Sequence, residues 1–124
     1  MATKFFKCNH CGNVIVKVVD ANVPVQCCGE NMKELVANTV DASAEKHVPV
    51  VTRIDENTLK IEVGSVAHPM LPEHHISFIY VETATGGTLI NLGDKPEALY
   101  HTCNGEPIAV YEYCNLHGLW KVEL

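Results

Sequence analysis

Four cysteines in the first 28 residues constrain the fold of this 124-residue chain more than any other feature. Cys8 and Cys11 form a CxxC pair, and Cys27 and Cys28 are adjacent to each other. The segment that carries them ends near residue 37 and is too short to bury a stabilising core without a cross-link. The spacing therefore predicts a small stapled domain over residues 1–37.

A metal ion explains these cysteines better than disulfides do. A two-residue gap lets two thiolates point at one ion, whereas a disulfide between adjacent cysteines is strained. The N-terminus has no apolar signal segment, which predicts a cytoplasmic protein with reduced thiols. Four thiolates suit zinc or a mononuclear iron. The missing gap in the second pair mildly favours iron, with structural zinc as the alternative. His10, inside the first pair, is predicted to face solvent.

The remainder of the chain, residues 38–124, is predicted to form a separate β domain. Residues 38–45 are small and polar and are interpreted as a connector. About seven short strands separated by turn residues are typical of a β-sandwich, and we place them at 49–54, 59–63, 76–82, 88–92, 98–102, 107–113 and 119–122. The first domain has strand candidates at 3–6, 14–19 and 33–36. The only helical candidate is one turn over 96–100.

A second set of metal-binding residue types lies in the β domain. A lone histidine is usually a surface or structural residue, but four histidines and a cysteine at predicted strand ends or loops indicate a metal site: His47, His68, His74, Cys114 and His117. His75 is predicted to point away from it, since neighbouring strand residues face opposite sides. His101 is interpreted as structural or exposed, and Cys103 as a free thiol packed like a small hydrophobe.

Charge and hydropathy narrow the function classes. Nine basic against fifteen acidic residues give a net charge of −6, which argues against non-specific nucleic-acid binding. The sequence has no run of eighteen apolar residues, so we expect no membrane-spanning helix.

The motifs CNHCG, CCG, EKHVP, HPM followed by EHH, and CNLHG occur in one order over essentially the whole chain. Together they resemble desulfoferrodoxin, the family of two-iron superoxide reductases. The resemblance implies a desulforedoxin-like first domain, in which Cys8, Cys11, Cys27 and Cys28 hold a four-thiolate iron, centre I. It implies an immunoglobulin-like β-sandwich with an iron centre II, whose equatorial ligands are His47, His68, His74 and His117 and whose axial ligand is Cys114. Some relatives have an aromatic residue where this chain has His75.

The resemblance also implies the reaction, the one-electron reduction of superoxide to hydrogen peroxide. Lys46 would attract the anion, and Glu45 would bind the ferric iron after turnover. Electrons would come from rubredoxin or a reductase acting on it, and the protein would be a homodimer. Two other functions are compatible with the same residues, an electron carrier and an interaction module. A pure electron carrier would have closed iron shells, and a zinc-stapled interaction module would be colourless.

Overall fold

A computed structural model of the chain describes residues 3–124, and the chain divides into two compact units between Val36 and Ala37. The first unit has a three-stranded antiparallel sheet of order β2-β1-β5 and a small β3–β4 hairpin. Its core is minimal, with Phe5, Cys8 and Met32 as the buried apolar residues of its described part. The strands are β1 Phe5–Lys7, β2 Val14–Val16, β3 Gln26–Cys27, β4 Glu30–Asn31 and β5 Lys33–Leu35.

Strand β2 is shorter than the predicted segment 14–19, because the chain bends at Val18 and Val19 before it can pair further. The side chain of Asp20 accepts a hydrogen bond from the backbone N–H of Asn22 at 2.8 Å, which forms an Asx turn. Val18 and Val19 are consequently exposed, by 93% and 82%, instead of pairing in the sheet. The apolar run alone gave no sign of this ending.

The second unit is a sandwich of two antiparallel sheets, with orders β10-β7-β6 and β12-β11-β8-β9. Its seven strands confirm the mainly β prediction. The elements in chain order are α1 Ala44–His47, β6 Pro49–Asp55, β7 Thr58–Val63, β8 Ile76–Thr83, β9 Gly86–Asn91, β10 Glu97–His101, a 3₁₀ turn Thr102–Asn104, β11 Pro107–Cys114 and β12 Gly118–Glu123.

Alternation along β7 shows how the sheets share one core. Leu59, Ile61 and Val63 are buried, whereas Lys60 and Glu62 between them are partly exposed. The buried face of β7 packs with residues of the opposite sheet, so burial fixes the strand register. The core cluster comprises Leu59, Ile61, Val63, Ile76, Ile79, Val81, Tyr100, Val110 and Cys114.

Three local predictions for the second unit were wrong. The segment predicted as a connector ends in the short helix α1, which is too brief to show a helical period in the sequence. The turn predicted over 96–100 is strand β10, because pairing with β7 outweighs local preference. Cys103 is exposed in the 3₁₀ turn and does not pack like a hydrophobe. Among the helices formed by residues 3–124, none combines the length and apolarity needed to span a bilayer.

Candidate metal centres

Strand ends and loops of the second unit bring five donor atoms together. One nitrogen from each of four histidines and the sulfur of one cysteine all lie within 4.8 Å of one another. His47 ends α1, and His68 and His74 lie in the β7–β8 loop. Cys114 and His117 flank the β11–β12 turn. The structure thus assembles all five residues that the sequence singled out: His47, His68, His74, Cys114 and His117.

The four imidazoles surround a single point. Successive rings around the cluster meet edge to face: His47 and His68 have centroids 4.7 Å apart, and His68 and His74 have centroids 4.6 Å apart. His117 closes the cycle, with centroids 5.0 Å from His74 and 4.9 Å from His47. Interplanar angles between 71° and 87° accompany these contacts. The four rings thus form a closed cycle of edge-to-face neighbours.

Hydrogen bonds fix which nitrogen of two of these rings faces the centre. Nδ1 of His47 lies 2.6 Å from the carbonyl oxygen of Ser43, and Nδ1 of His68 lies 2.7 Å from that of Pro69. A carbonyl only accepts, so each Nδ1 carries the proton and each Nε2 presents a lone pair. The two Nε2 atoms are 3.2 Å apart. For metal–nitrogen bonds of about 2.1 Å at right angles, the expected separation is about 3.0 Å.

Burial favours the neutral form of His47, His68 and His74. It lowers the pKa of His68 to about 4 and also lowers the pKa values of His47 and His74. Nε2 of His74 is buried and has no hydrogen-bond partner among the described residues. An unpaired buried nitrogen and two facing lone pairs are costly in an apoprotein. Both are resolved by a cation at the centre, so the residues fit the iron that the motifs imply.

Cys114 supplies the fifth donor and is fully buried. Its sulfur lies 3.5 Å from Nε2 of His68 and 3.8 Å from Nδ1 of His117. Burial raises the pKa of this thiol, while the backbone N–H groups of His117 and Leu116 act in the opposite direction. The N–H of His117 donates to the sulfur at 3.4 Å. A metal cation would complete the ionisation of the thiol.

Two further side chains hold the ligand loops, and sequence reasoning missed both. Trp120 stacks on His47 with centroids 5.0 Å apart and an interplanar angle of 23°, and its Nε1 donates to the carbonyl of His117 at 3.1 Å. Asn115 accepts from the N–H of His75 at 2.8 Å and donates to the carbonyl of Glu73 at 3.0 Å. Asn115 lies inside the CNLHG motif, so the sequence did carry a signal that could have identified it. The stacking of Trp120 on His47 depends on tertiary structure and leaves no signal in the sequence.

The remaining histidines lie outside the five-donor cluster. His75 directs Nδ1 to the carbonyl of Leu71 at 3.0 Å and takes no part in the cluster. His101 is exposed on β10. His10 is exposed beside the first cysteine pair and lies 3.0 Å from a carboxylate oxygen of Glu30. These placements agree with the predictions for His10, His75 and His101.

Glu45 and Lys46 lie on α1, directly before the first histidine of the cluster, and both are exposed. The hydroxyl of Ser43 donates to the carboxylate of Glu45 at 3.3 Å. The positive charge of Lys46 adds to the effect of burial in lowering the pKa values of His47 and His74. A cation on Lys46 therefore acts electrostatically on the cluster.

Glu112 is a buried acid that the sequence did not single out. It is fully buried on β11, two residues before Cys114, and neither carboxyl oxygen has a hydrogen-bond partner among the described residues. Burial raises its pKa to about 9. The side chain is therefore protonated at neutral pH.

The first unit brings its four cysteine sulfurs within 4.8 Å of one another. The sulfurs of Cys11 and Cys27 are 3.6 Å apart, far beyond a disulfide bond, and all six cysteines are free. Metal–sulfur bonds of about 2.3 Å place tetrahedral sulfurs about 3.8 Å apart. Positive φ angles at Cys28 and at Gly12 and Gly29 shape the two turns that make this approach.

The four thiols do not ionise equally. The backbone N–H of Cys11 is the largest influence that lowers the pKa of Cys8, to about 6, whereas contact with Cys11 raises the pKa of Cys28 to about 12. One thiolate is thus favoured, and further ones are opposed by the sulfurs around them. A tetrahedral cation removes that conflict, so this cluster also fits a metal.

Comparison with known proteins shows which family this chain resembles in sequence. The desulfoferrodoxin family model matches residues 39–123. The desulfoferrodoxin of Syntrophotalea carbinolica is 44% identical over 121 residues, covering 95% of this chain and 94% of the relative. That of Nitratidesulfovibrio vulgaris is 40% identical over 124 residues, covering 97% and 95%. The superoxide reductase of Pyrococcus abyssi is 35% identical over 103 residues, covering 68% and 90%.

A solved structure extends the similarity to three dimensions. The crystal structure of the superoxide reductase from Treponema pallidum superposes with a TM-score of 0.81 at 34% identity, covering 99% of this chain and 100% of that one. The four-cysteine cluster and the cluster of four histidines and one cysteine are consistent with the two iron centres of a desulfoferrodoxin. Because the family model covers most of the chain and full-length relatives align with both units, this protein belongs to the desulfoferrodoxin family.

Proposed function

We propose that this protein is a superoxide reductase that detoxifies superoxide. One superoxide anion takes one electron and two protons and leaves as hydrogen peroxide. The observation that carries this proposal is the donor set of four imidazoles around one point with a single thiolate as fifth donor. Five protein ligands leave one position of an octahedral ion for a substrate.

At centre II, the imidazoles of His47, His68, His74 and His117 and the thiolate of Cys114 would hold the iron. Ferrous iron held there would supply the single electron. Neutral imidazoles add no charge, and the thiolate is the electron-rich donor of the set. The hydrogen bond from the N–H of His117 tempers that donation. His74 and His117 are only partly buried, so water can reach their side of the cluster and deliver protons.

Lys46 and Glu45 are the proposed catalytic residues beside the iron. On a chain with a net charge of −6, a local cation is needed to attract an anionic substrate. Lys46 meets this need because its charge already influences His47 and His74. Glu45 is the proposed carboxylate ligand of the ferric state, since it lies two residues before a ligand histidine on the same helical turn.

The partners follow from the reaction and from the family motifs. A reductase consumes electrons, and we propose rubredoxin or a reductase acting on rubredoxin as the donor, in a cytoplasmic homodimer. The proposed centre I is iron held by Cys8, Cys11, Cys27 and Cys28. It either relays electrons to centre II or stabilises the unit that carries it.

The test measures products as well as rate. Pre-reduced protein mixed with superoxide by pulse radiolysis should yield one hydrogen peroxide per superoxide and no oxygen. A dismutase would give half as much peroxide, together with oxygen. An electron carrier with closed iron shells would show no change in its ferric spectrum when azide is added, and a zinc module would be colourless. Any of these three results would contradict the proposal.

A further inference from the structure

The backbone carbonyl of Glu45 joins α1 to a neighbouring turn, residues 64–66, which we call the 64–66 turn. The N–H of Val66 donates to this carbonyl at 2.9 Å, and the hydroxyl of Ser65 donates to it at 3.2 Å. A helix of four residues cannot satisfy its last carbonyls internally. The 64–66 turn therefore caps α1 from outside, at the residue next to Lys46.

Gly64 allows this contact because it has no side chain. A Cβ built there would lie 2.6 Å from the carbonyl oxygen of Glu45, 3.0 Å from the carbonyl carbon of Lys46 and 3.0 Å from the carbonyl oxygen of Val48. All three are backbone atoms, which cannot rotate away as a flexible side chain would. Any larger residue at position 64 must displace the backbone of α1.

The same segment is connected to the metal cluster on its other side. The N–H of His68 donates to the carbonyl of Val63 at 3.1 Å. On the α1 side, Nδ1 of His47 and the N–H of Lys46 both meet the carbonyl of Ser43, at 2.6 Å and 3.2 Å. The 64–66 turn thus lies between two residues of the cluster, His47 and His68. Gly64, which has no side chain, packs directly on the backbone of Glu45 and Lys46.

We propose that the 64–66 turn is a positioning element that holds α1 so that the charge of Lys46 is presented to the incoming anion. This inference rests on the proposed reduction of superoxide. Gly64 and Ser65 touch neither substrate nor iron in this scheme, and they act through the backbone of Glu45 and Lys46. Gly64 sets how closely α1 approaches, and Ser65 provides one of the two bonds that hold it.

The test uses Gly64→Ala, with Gly93→Ala as the matched control because a Cβ at Gly93 meets no atom within 4 Å. Ser65→Ala removes one bond to α1, and Ser65→Thr keeps the hydroxyl. For each full-length, iron-loaded protein, three quantities are measured: iron content, the sulfur-to-iron charge-transfer band, and the rate with superoxide over a range of ionic strength. Amide hydrogen exchange over residues 45–48 gives a readout independent of turnover.

We expect Gly64→Ala to retain iron and the charge-transfer band, to exchange faster over residues 45–48, and to react several-fold more slowly at low salt. Its rate should depend less on salt, because electrostatic attraction is what salt screens. Ser65→Ala should show the same changes more weakly, and Ser65→Thr and Gly93→Ala should match the wild type. In a Lys46→Ala background, Gly64→Ala should cause no further loss of rate.

A wild-type salt dependence in Gly64→Ala, or an undiminished loss of rate in the Lys46→Ala background, would overturn the proposal. If Gly64→Ala fails to retain iron, Ser65→Ala decides the question by the same salt dependence. Failure of the proposed function has a different signature, because the wild-type protein itself would then produce no peroxide from superoxide.

Discussion

Nε2 of His47 and Nε2 of His68 face each other at 3.2 Å, and neither of them carries a proton. Both lone pairs can bind the same cation, so iron held there would tie α1 to the β7–β8 loop. We therefore expect removal of iron to lower the free energy of unfolding of this unit. A ligand at 1,000 times its dissociation constant contributes about 4 kcal/mol. Thermal unfolding with and without iron measures the difference, and equal midpoints would contradict it.

Acidification should destabilise the metal-free second unit over a defined range of pH. Burial lowers the pKa of His68 to about 4 from an ordinary value of 6.5, and it lowers the pKa values of His47 and His74 in the same direction. Below pH 6.5 the unfolded chain then binds more protons than the folded one. The contribution to stability is complete above pH 6.5 and is lost as the pH falls towards 4. Thermal midpoints of the metal-free protein at stepped pH should fall over this range, and equal midpoints at pH 7 and pH 4 would contradict the expectation.

Cys114→Ser should abolish the sulfur-to-iron charge-transfer band of oxidised centre II and steeply reduce the rate with superoxide. The reason is that the only sulfur of the cluster is removed. Cys103→Ser is the control, since Cys103 is free and exposed. Visible spectra and pulse radiolysis of both variants decide the matter. Normal activity of Cys114→Ser would disprove the axial assignment.

Lys46→Ala should slow the reaction with superoxide by about one to two orders of magnitude, within the range that electrostatic steering supplies. The wild-type rate should fall as salt rises, and that of the variant should fall less. Lys95→Ala, another lysine of the second unit, serves as the control. Identical salt slopes for Lys46→Ala and the wild type would make Lys46 an ordinary surface charge.

Cys11→Ser should disrupt centre I and leave centre II working. All five donors of centre II, together with Glu45 and Lys46, belong to the second unit, which has its own core. The pre-reduced variant should therefore react with superoxide at close to the wild-type rate in stopped-flow measurements. Any fall in steady-state turnover with a protein donor measures the relay role of centre I. If the variant no longer reacts with superoxide although its β domain is folded and iron-loaded, the two centres are not independent.

Local sequence patterns were sufficient for much of the fold and for both donor clusters. Alternation of apolar and polar residues predicted β7 to within one residue of its start. A CxxC pair or a CxxH pair already limits where its donor atoms can point. The pattern failed where distant contacts decide the outcome. Strand pairing made β10 from a segment that could have formed a turn, and bends at Val18 and Val19 left the predicted end of β2 outside the sheet.

The neighbours of the ligands were harder to predict than the ligands. Glu112 occupies a strand position like any other, and only the closed sandwich shows that its carboxyl is buried without a partner among the described residues. The role of Gly64 likewise depends on the approach of α1 from elsewhere in the sequence. Such relationships arise from tertiary packing and carry no periodicity of their own.

The contact between Trp120 and His47 gives the protein an internal optical probe. Trp120 is the single tryptophan of the chain and stacks directly on one of the five donors. Its indole emission is therefore expected to respond to iron at centre II, through quenching that differs between metal-free, ferrous and ferric protein. Excitation selective for tryptophan would report on Trp120 alone, because the chain contains no other indole. Metal loading and reoxidation could thus be followed in real time without a label.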